Sequence, residues 1–318
     1  MSDLAQNFSA QNAGRRVVQY IPDSLRARLV VAIIRSAGAL TRGMGHRGLW
    51  RVARLAGSFA PKDQLCAVQL ETGGWFQFEA SDPYWSRMVC SSYCYEPEIA
   101  YSLRLFAPLE PIFIDCGANF GYWSVYLAGE IDPNNIVAIE ASPSTFQHLT
   151  ANWKRDGERF SVVNRAIFSS DGLNVALSEI NADHASTQIS PSQDGTVQTI
   201  TIDTILADHF GRSTNPVIVK LDVEGVEIQA LLGARDLLSR GSLLIYEDHG
   251  NDASSSVTEH IIEVMGWPVF YINGPRVTKI LRSKDASDLK RDRKRGYNFL
   301  AASPDSVFHS ALLALASR

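Results

Sequence analysis

Carboxylates stand at the ends of apolar runs at three places in this chain, two of them beside glycine, asparagine or lysine. The first is "FIDCGANFGYW", residues 113–123. Gly117 and Gly121 let the backbone turn sharply and come close to a ligand. Their spacing is G-x-x-x-G, and Asn119 stands where a middle glycine would let a pyrophosphate rest against the backbone. Asp115 places a negative charge where a phosphate would be repelled. A carboxylate there suits an ammonium or sulfonium group instead.

Glu140 ends the next apolar run, "NIVAIEAS", 19 residues beyond Gly121. An acid at that position can hold two ribose hydroxyls; it also suits the start of the helix that Ser142-Pro143 opens. Taken with the preceding turn, the ribose reading is the better one. Asp115, Gly117, Asn119, Gly121, Glu140 and Ser142 then describe a pocket for a nucleoside with a positive centre and no diphosphate, which is S-adenosylmethionine. The third place is "KLDVEGVEIQALLGA", residues 220–234. It gathers Lys220, Asp222, Glu224 and Glu227. Asp222 and Glu224 share an orientation if the strand continues, and Glu227 suits the helix dipole. Glu247 and His249 end the following run on the same rim. Asp222, Glu247 and His249 have the types of a divalent-metal set, yet no ligand geometry can be read, and no metal is expected. Cys90 and Cys94, four apart on a predicted helix, lack two further ligands.

These residues need a scaffold that delivers strand ends to one rim. From residue 111 onward short apolar runs alternate with helical stretches: "PIFID", "NIVAIEAS", "FSVVNRAIFS", "PVIVKLDVEG" and "SLLIYEDHG" read as strands. Between them lie the helical "GYWSVYLAGE", "PSTFQHLTANWKRDG" and "VEIQALLGARDLLSRG". Such alternation implies a mainly parallel sheet covered on both faces, with its ligand beyond the carboxyl ends of the strands. Upstream, "QLCAVQLETGGWFQFEA" (64–80) reads as a hairpin turning at Gly73-Gly74, and "YWSRMVCSSYCYEPEIAYSLRLF" as helical. Residues 1–92 are taken as a helical and hairpin extension, with 1–14 disordered, and 93–318 as the chemical domain.

The chain has 318 residues, 45% hydrophobic and 20% charged, with four cysteines and a net charge of −4. That composition is globular and too poor in cysteine for a disulfide framework. "MSDLAQNFSAQNAG" lacks an apolar leader and "LVVAII" (29–34) is too short to span a bilayer, so a cytoplasmic protein is expected. Residues 1–60 nevertheless hold nine arginines against Asp3 and Asp23. On a helix over 24–42, Arg28, Arg35 and Arg42 line one face and Leu25, Leu29, Ile33 and Leu40 another. The pattern fits docking on an anionic membrane or acidic partner, and more commonly a helix packed on the core with a solvated basic face. The basic stretch 284–298 is diluted by Asp285, Asp288 and Asp292 and reads as a solvated connection. Neither stretch has the interleaved aromatics of a nucleic-acid surface.

"FIDCGANFGYWS", "VAIEASPSTFQHLTAN", "VNRAIFSSDG", "TIDTIL" and "VIVKLDVEGVEIQALLGA", with "YEPEIA" at 95–100 as lead-in, resemble the FkbM family of methyltransferases in order and spacing over about residues 93–250. The resemblance implies a Rossmann-like class I methyltransferase fold, with a seven-stranded, mainly parallel sheet. It implies S-adenosylmethionine as donor and a hydroxyl of a sugar, glycoconjugate or related metabolite as acceptor. It also places Asn164 and Ala166 beside the adenine. For transfer, the protein must align the acceptor oxygen and help remove its proton. Asp222 is the first candidate, followed by Glu224 and Glu247, with Lys220 as electrostatic partner. Glu96 can reach the site from the lead-in helix or merely cap it, and His249 is more simply structural. Phe120 or Tyr122 offers apolar packing. A non-catalytic S-adenosylmethionine-binding scaffold and a nicotinamide-dependent oxidoreductase are the competing classes; the acceptor itself and the oligomeric state are not encoded in any motif.

Overall fold

The computed structural model describes residues 24–317 apart from 62–63, 180–186, 193, 212, 275, 293–295 and 305. The expected disorder at 1–14 lies outside the described residues, as does part of the basic stretch 284–298. Helices α1 (Leu25–Thr41) and α2 (Leu49–Gly57) precede a hairpin of β1 (Leu65–Gln69) and β2 (Trp75–Glu79), and α3 (Pro97–Phe106) leads into the core. The alternating segment runs β3 (Ile112–Cys116), α4 (Tyr122–Leu127), β4 (Ile136–Ile139), α5 (Pro143–Arg155), β5 (Ser161–Val163). Short strands β6 (Ala166–Ile167), β7 (Asn174–Glu179), β8 (Thr187–Pro191) and β9 (Val197–Ile200) form a side sheet before α6 (Ile202–Phe210). Next come β10 (Val217–Leu221), α7 (Glu227–Leu232), α8 (Arg235–Leu238), β11 (Ser242–His249) and α9 (Ser256–Glu259). The chain closes with β12 (Val269–Asn273), β13 (Arg276–Ile280), α10 (Ser283–Leu289), β14 (Gly296–Ala302) and α11 (Val307–Ala316).

The main sheet has the order β13-β12-β14-β11-β10-β3-β4-β5. Strands β5, β4, β3, β10 and β11 are parallel, and β14 enters antiparallel between β11 and β12. Those seven make the α/β sheet expected of the sequence, and β13 adds an eighth strand by hairpin pairing with β12. Alternate residues of each core strand enter different hydrophobic layers. Phe113, Ile218, Leu243 and Ile245 join α1, β2, α3, α4 and α11 on one face. Ile112, Ile114, Val217, Val219 and Leu244 join α6 and α7 on the other.

Several local expectations are corrected. "FSVVNRAIFS" is not one strand, because the Asn164 side-chain amide donates to the Glu140 and Ala141 carbonyls (2.7 and 3.1 Å) and draws the chain off the main sheet. The helix after β10 breaks at Gly233, which packs against the Phe168 carbonyl where a side chain would not fit. Cys90 and Cys94 do not share a helix, since only Ser86–Val89 forms a helical turn there. Cys90 is buried and its thiol donates to the Ile34 carbonyl, 3.2 Å away. The leucine face of α1 is not its packed face: Ala27, Val30, Val31, Ile34 and Gly38 are buried, while Leu25, Leu29, Ile33 and Leu40 are exposed. Small and β-branched residues allow the closer approach, and Gly38 lies directly against Cys90.

Candidate active site

The period of two along a strand selects the residues that meet. Asp115 follows Phe113, Lys220 follows Ile218 and Glu247 follows Ile245, so all three project to the face that α3 and α4 cover. The register reinforces this, pairing Lys220 with Asp115 and Glu247 with Asn298. At the carboxyl ends of these strands lies a cavity of about 740 Å³. Asn119, Glu140, Lys220, Asp222, Glu224, Glu247 and His249 line it, together with Glu96 and Asn298.

The turn after β3 is held by its own chain. The Gly117 and Ala118 N–H groups donate to the Ile139 carbonyl at 3.0 and 2.9 Å. The Asn119 N–H donates to Glu140 Oε2 at 2.9 Å, and the Phe120 N–H to Asn119 Oδ1 at 2.8 Å. Four successive donors that a pyrophosphate would need are therefore already taken. Gly117 has φ +75°, and a Cβ there would collide with the Asp222 carbonyl, so the first and fourth strand loops meet backbone to backbone. Gly121 starts α4 at φ +83°, where a Cβ would collide with Leu149.

Asp115 is buried; its Oδ2 accepts from the Ser124 hydroxyl at 2.8 Å, while Oδ1 has no hydrogen-bond partner in the protein. Burial pushes its pKa up against the pull of Lys220. Glu140 accepts from the Asn119 and Ser142 N–H groups, and burial still lifts its pKa to about 7. Each carboxylate oxygen keeps a lone pair for a further donor. Lys220 Nζ lies 2.9 Å from Asp222 Oδ2. Burial opposes its charge, but Asp222, Asp115 and Glu96 hold the pKa above that of an ordinary lysine. Asp222, also hydrogen-bonded to Glu247, is held below its usual range by Lys220 despite burial. Burial and the Asp222 charge push the Glu247 carboxyl well above its usual range. Gly296 makes room for this, because a Cβ there would collide with the Glu247 carboxylate.

Glu96 stands at the N-cap of α3 in a left-handed conformation (φ 38°) and makes no capping bond with its side chain. Its carboxylate accepts from Trp123 Nε1 at 3.0 Å and from the Asn298 amide at 3.3 Å. That amide also donates to Glu98 at 2.9 Å. Burial raises Glu96 to about pH 7, with Lys220 opposing.

Asp115, Gly121, Ser142, Asn164 and Ala166 lie off the cavity wall; Asp115 is buried beneath the turn and Gly121 is turned into α4. Ser142 caps α5 by accepting from the Thr145 N–H, the Asn164 amide is engaged by loop carbonyls, and Ala166 is buried in the side sheet. Arg165 and Ile167 line the wall where Asn164 and Ala166 were expected. Glu224 does line it, although β10 ends at Leu221 and Glu224 sits in a turn with φ 55°, not in a continued strand. Glu227 accepts from the Gly225 N–H (3.1 Å) and closes that turn. His249 is exposed at the rim, its Nδ1 facing the Asn251 N–H at 3.2 Å. Among the described residues no group of three or more His, Cys, Asp or Glu is placed to hold a metal ion.

The sequence reading missed the outer wall. Tyr84, Trp85, Tyr95, Tyr122 and Trp123 form a continuous ring cluster with centroids 4.9–5.8 Å apart. Tyr84 and Tyr95 share a hydroxyl hydrogen bond of 2.9 Å. His46, Arg47, Trp50, Arg87 and Arg165 stand at the mouth. The tyrosine- and tryptophan-rich composition of 84–95 was the available signal, but only folding brings it against α4.

Residues 115–272 match the family model described as the methyltransferase FkbM domain. The hexuronic acid methyltransferase AglP of Haloferax volcanii is 27% identical over 177 residues, spanning 55% of this chain and 69% of that protein. Among solved structures, a precorrin-6y C5,15-methyltransferase from Geobacter metallireducens matches 62% of this chain and 86% of that chain, with 11% identity and a TM-score of 0.34. TYW2 from P. horikoshii, in complex with MeSAdo, matches 95% and 96%, with 13% identity and a TM-score of 0.41.

Proposed function

The chain is a methyltransferase with an FkbM domain at residues 115–272, and from that premise we propose that it methylates a hydroxyl of a carbohydrate or glycoconjugate with S-adenosylmethionine as donor. The observation that carries the reading is a turn whose N–H groups are already spent on the chain itself, set among the carboxylates Glu96, Glu140 and Asp222 of the cavity wall. A cationic donor fits that arrangement and a diphosphate does not. Glu140 would hold the ribose hydroxyls with the acceptor capacity left on its two oxygens. The glycine backbone at 117, pressed on the Asp222 carbonyl, would let the donor lie close to both loops.

When bound, the donor supplies a methyl already activated by a sulfonium. The acceptor oxygen takes that methyl, the S–C electron pair stays on sulfur, and the hydroxyl proton must leave to a base. Glu96 is best matched to receive it, because an effective base titrates near the working pH and Glu96 is raised to about 7. Asp222 was the first candidate from sequence. Its depressed pKa and its bonds to Lys220 and Glu247 favour a positioning and electrostatic role instead. Asn298 orients Glu96, and the half-buried Tyr84 and Tyr95 rings on the cavity wall offer apolar surface on which a sugar ring can pack. The relative acting on hexuronic acid supports a sugar acceptor, and Arg47, Arg87 and Arg165 at the mouth suit an acidic one.

Calorimetric titration should give saturable binding of S-adenosylmethionine and none of NAD. Methyl-labelled donor should then transfer label to a uronate-containing glycan extract as a base-stable ether. Base-labile label would move the acceptor atom to a carboxylate. Tight donor binding with no transfer to any glycan would leave only the scaffold reading standing.

A further inference from the structure

We propose that the outer face of α1 and its turn into α2 docks on an anionic bilayer, so that the cavity mouth meets an acceptor presented at the lipid surface. The presentation of the acceptor rests on the methyl-transfer reading; the docking does not. α1 is 17 residues long, and at ~1.5 Å per residue it spans about 25 Å. Its buried side is filled by Ala27, Val30, Val31 and Ile34. Directed away from the protein are Leu25, Leu29, Ile33 and Leu40, exposed by 75, 56, 45 and 83%. At about 100° per residue these four fall within an arc of about 80°. Arg26 borders that arc on one side, and Arg28 and Arg35 on the other. All three are exposed.

An apolar stripe flanked by arginines is the arrangement of a helix lying in a membrane interface, its stripe in the acyl boundary and its cations among anionic headgroups. Charge selects the occupant: residues 24–60 contain seven arginines and no Asp or Glu. Met44, Trp50, Leu55 and Phe59 extend the exposed apolar surface through the turn and α2. The surface is continuous with the proposed site, because His46, Arg47, Gly48 and Trp50 line the cavity. No described helix is long and apolar enough to cross a membrane, so the association is peripheral.

Flotation of the full chain with vesicles tests this. Binding is expected to vesicles of three parts phosphatidylcholine to one part phosphatidylglycerol, and to fall at least tenfold in 0.5 M KCl or with phosphatidylcholine alone, since the lipid attraction is screened by salt. Replacing Leu29→Glu together with Leu40→Glu changes only exposed positions. It should abolish flotation while leaving S-adenosylmethionine binding by calorimetry unaltered. Flotation unaffected by that pair, or none by the unmodified chain, overturns the docking. A stable dimer by light scattering that the same pair dissolves also overturns it, because the stripe would then belong to a second copy. Loss of donor binding in the unmodified chain would instead strike the methyl-transfer reading and leave the docking intact.

Discussion

Segments within 117–141 and 220–249 line the inner side of the cavity with carboxylates at strand ends, whereas segments within 46–98 and 292–298 line the outer side with rings, arginines and Asn298. The inner side is set by sheet register: Lys220 faces Asp115 because β10 pairs with β3, and Gly117 fixes the loop contact because nothing larger fits. The outer side is set by packing of segments far apart in sequence. Asn298 binds Glu96 across 202 positions, and Trp85 Nε1 reaches Asn119 Oδ1 at 3.2 Å across 34. Under the proposed function, a donor half held by backbone and an acceptor half assembled from side chains would let specificity vary without disturbing the donor.

That division can be broken by single changes. The largest effect is expected of Glu96→Gln, which keeps the acceptor oxygen for Trp123 but removes the base; turnover should fall about 10²–10⁴-fold with donor affinity retained. In the unmodified enzyme, activity should decline as the pH falls through about 7, where Glu96 takes up its proton; a glutamine variant with normal turnover would return the role to Asp222 or Glu247. Asp222→Ala strands the buried Lys220 charge, and removing one partner of such a pair costs about 3–5 kcal/mol. Chemical denaturation should read a loss of that order, whereas an unchanged midpoint would mean that Asp115 and Glu96 suffice to hold Lys220.

Glu140→Ala tests the donor side alone. Lost hydrogen bonds to a charged group are worth about 1.5–3 kcal/mol, so calorimetry should show S-adenosylmethionine weakened roughly 10- to 150-fold with acceptor KM unchanged. Tyr84→Phe tests the other side. Losing its bond to Tyr95 costs about 0.5–1.5 kcal/mol and should raise acceptor KM with donor affinity intact; equal effects on both ligands would dissolve the distinction between the halves. A separate test lies in the ligand-free fold. Glu96 and Glu140 titrate near 7 when folded and near 4.5 otherwise, so the folded state binds more protons between those values. Thermal stability should therefore rise as the pH is lowered from 8 towards 5, and Glu140→Gln should flatten that slope.

The inner half was largely legible. Apolar runs followed by Asp115, Glu140 and Asp222 marked the strand ends, and the absent middle glycine at Asn119 spoke against a diphosphate. The structure supplied the complementary reason, since the N–H groups of 117–120 are consumed internally. Glu96 was visible only as an ambiguous residue before Pro97, because a capping acid and a site acid look alike in sequence. Asn298 left no signal, sitting polar within "YNFLAAS", where its partner is chosen by antiparallel pairing with β11. Asn164 and Ala166 leave the cavity wall because of a single side chain, whose amide bonds redirect the backbone.

Periodicity and local turn chemistry, which act over a few residues, determined the alternating strands and helices, the hairpin at Gly73-Gly74 and the acids at the strand ends. They also determined that α1 would be amphipathic, with arginines set apart from leucines. Only the tertiary structure decided which side of α1 faces the protein. Helical spacing offered two apolar faces, and close packing of Gly38 against Cys90 admitted the smaller one. It alone decided that Glu96, Asp222, Glu247 and Asn298 share one cavity. Strand order and register are long-range choices, made by the burial of whole faces and not by the residues that line the site.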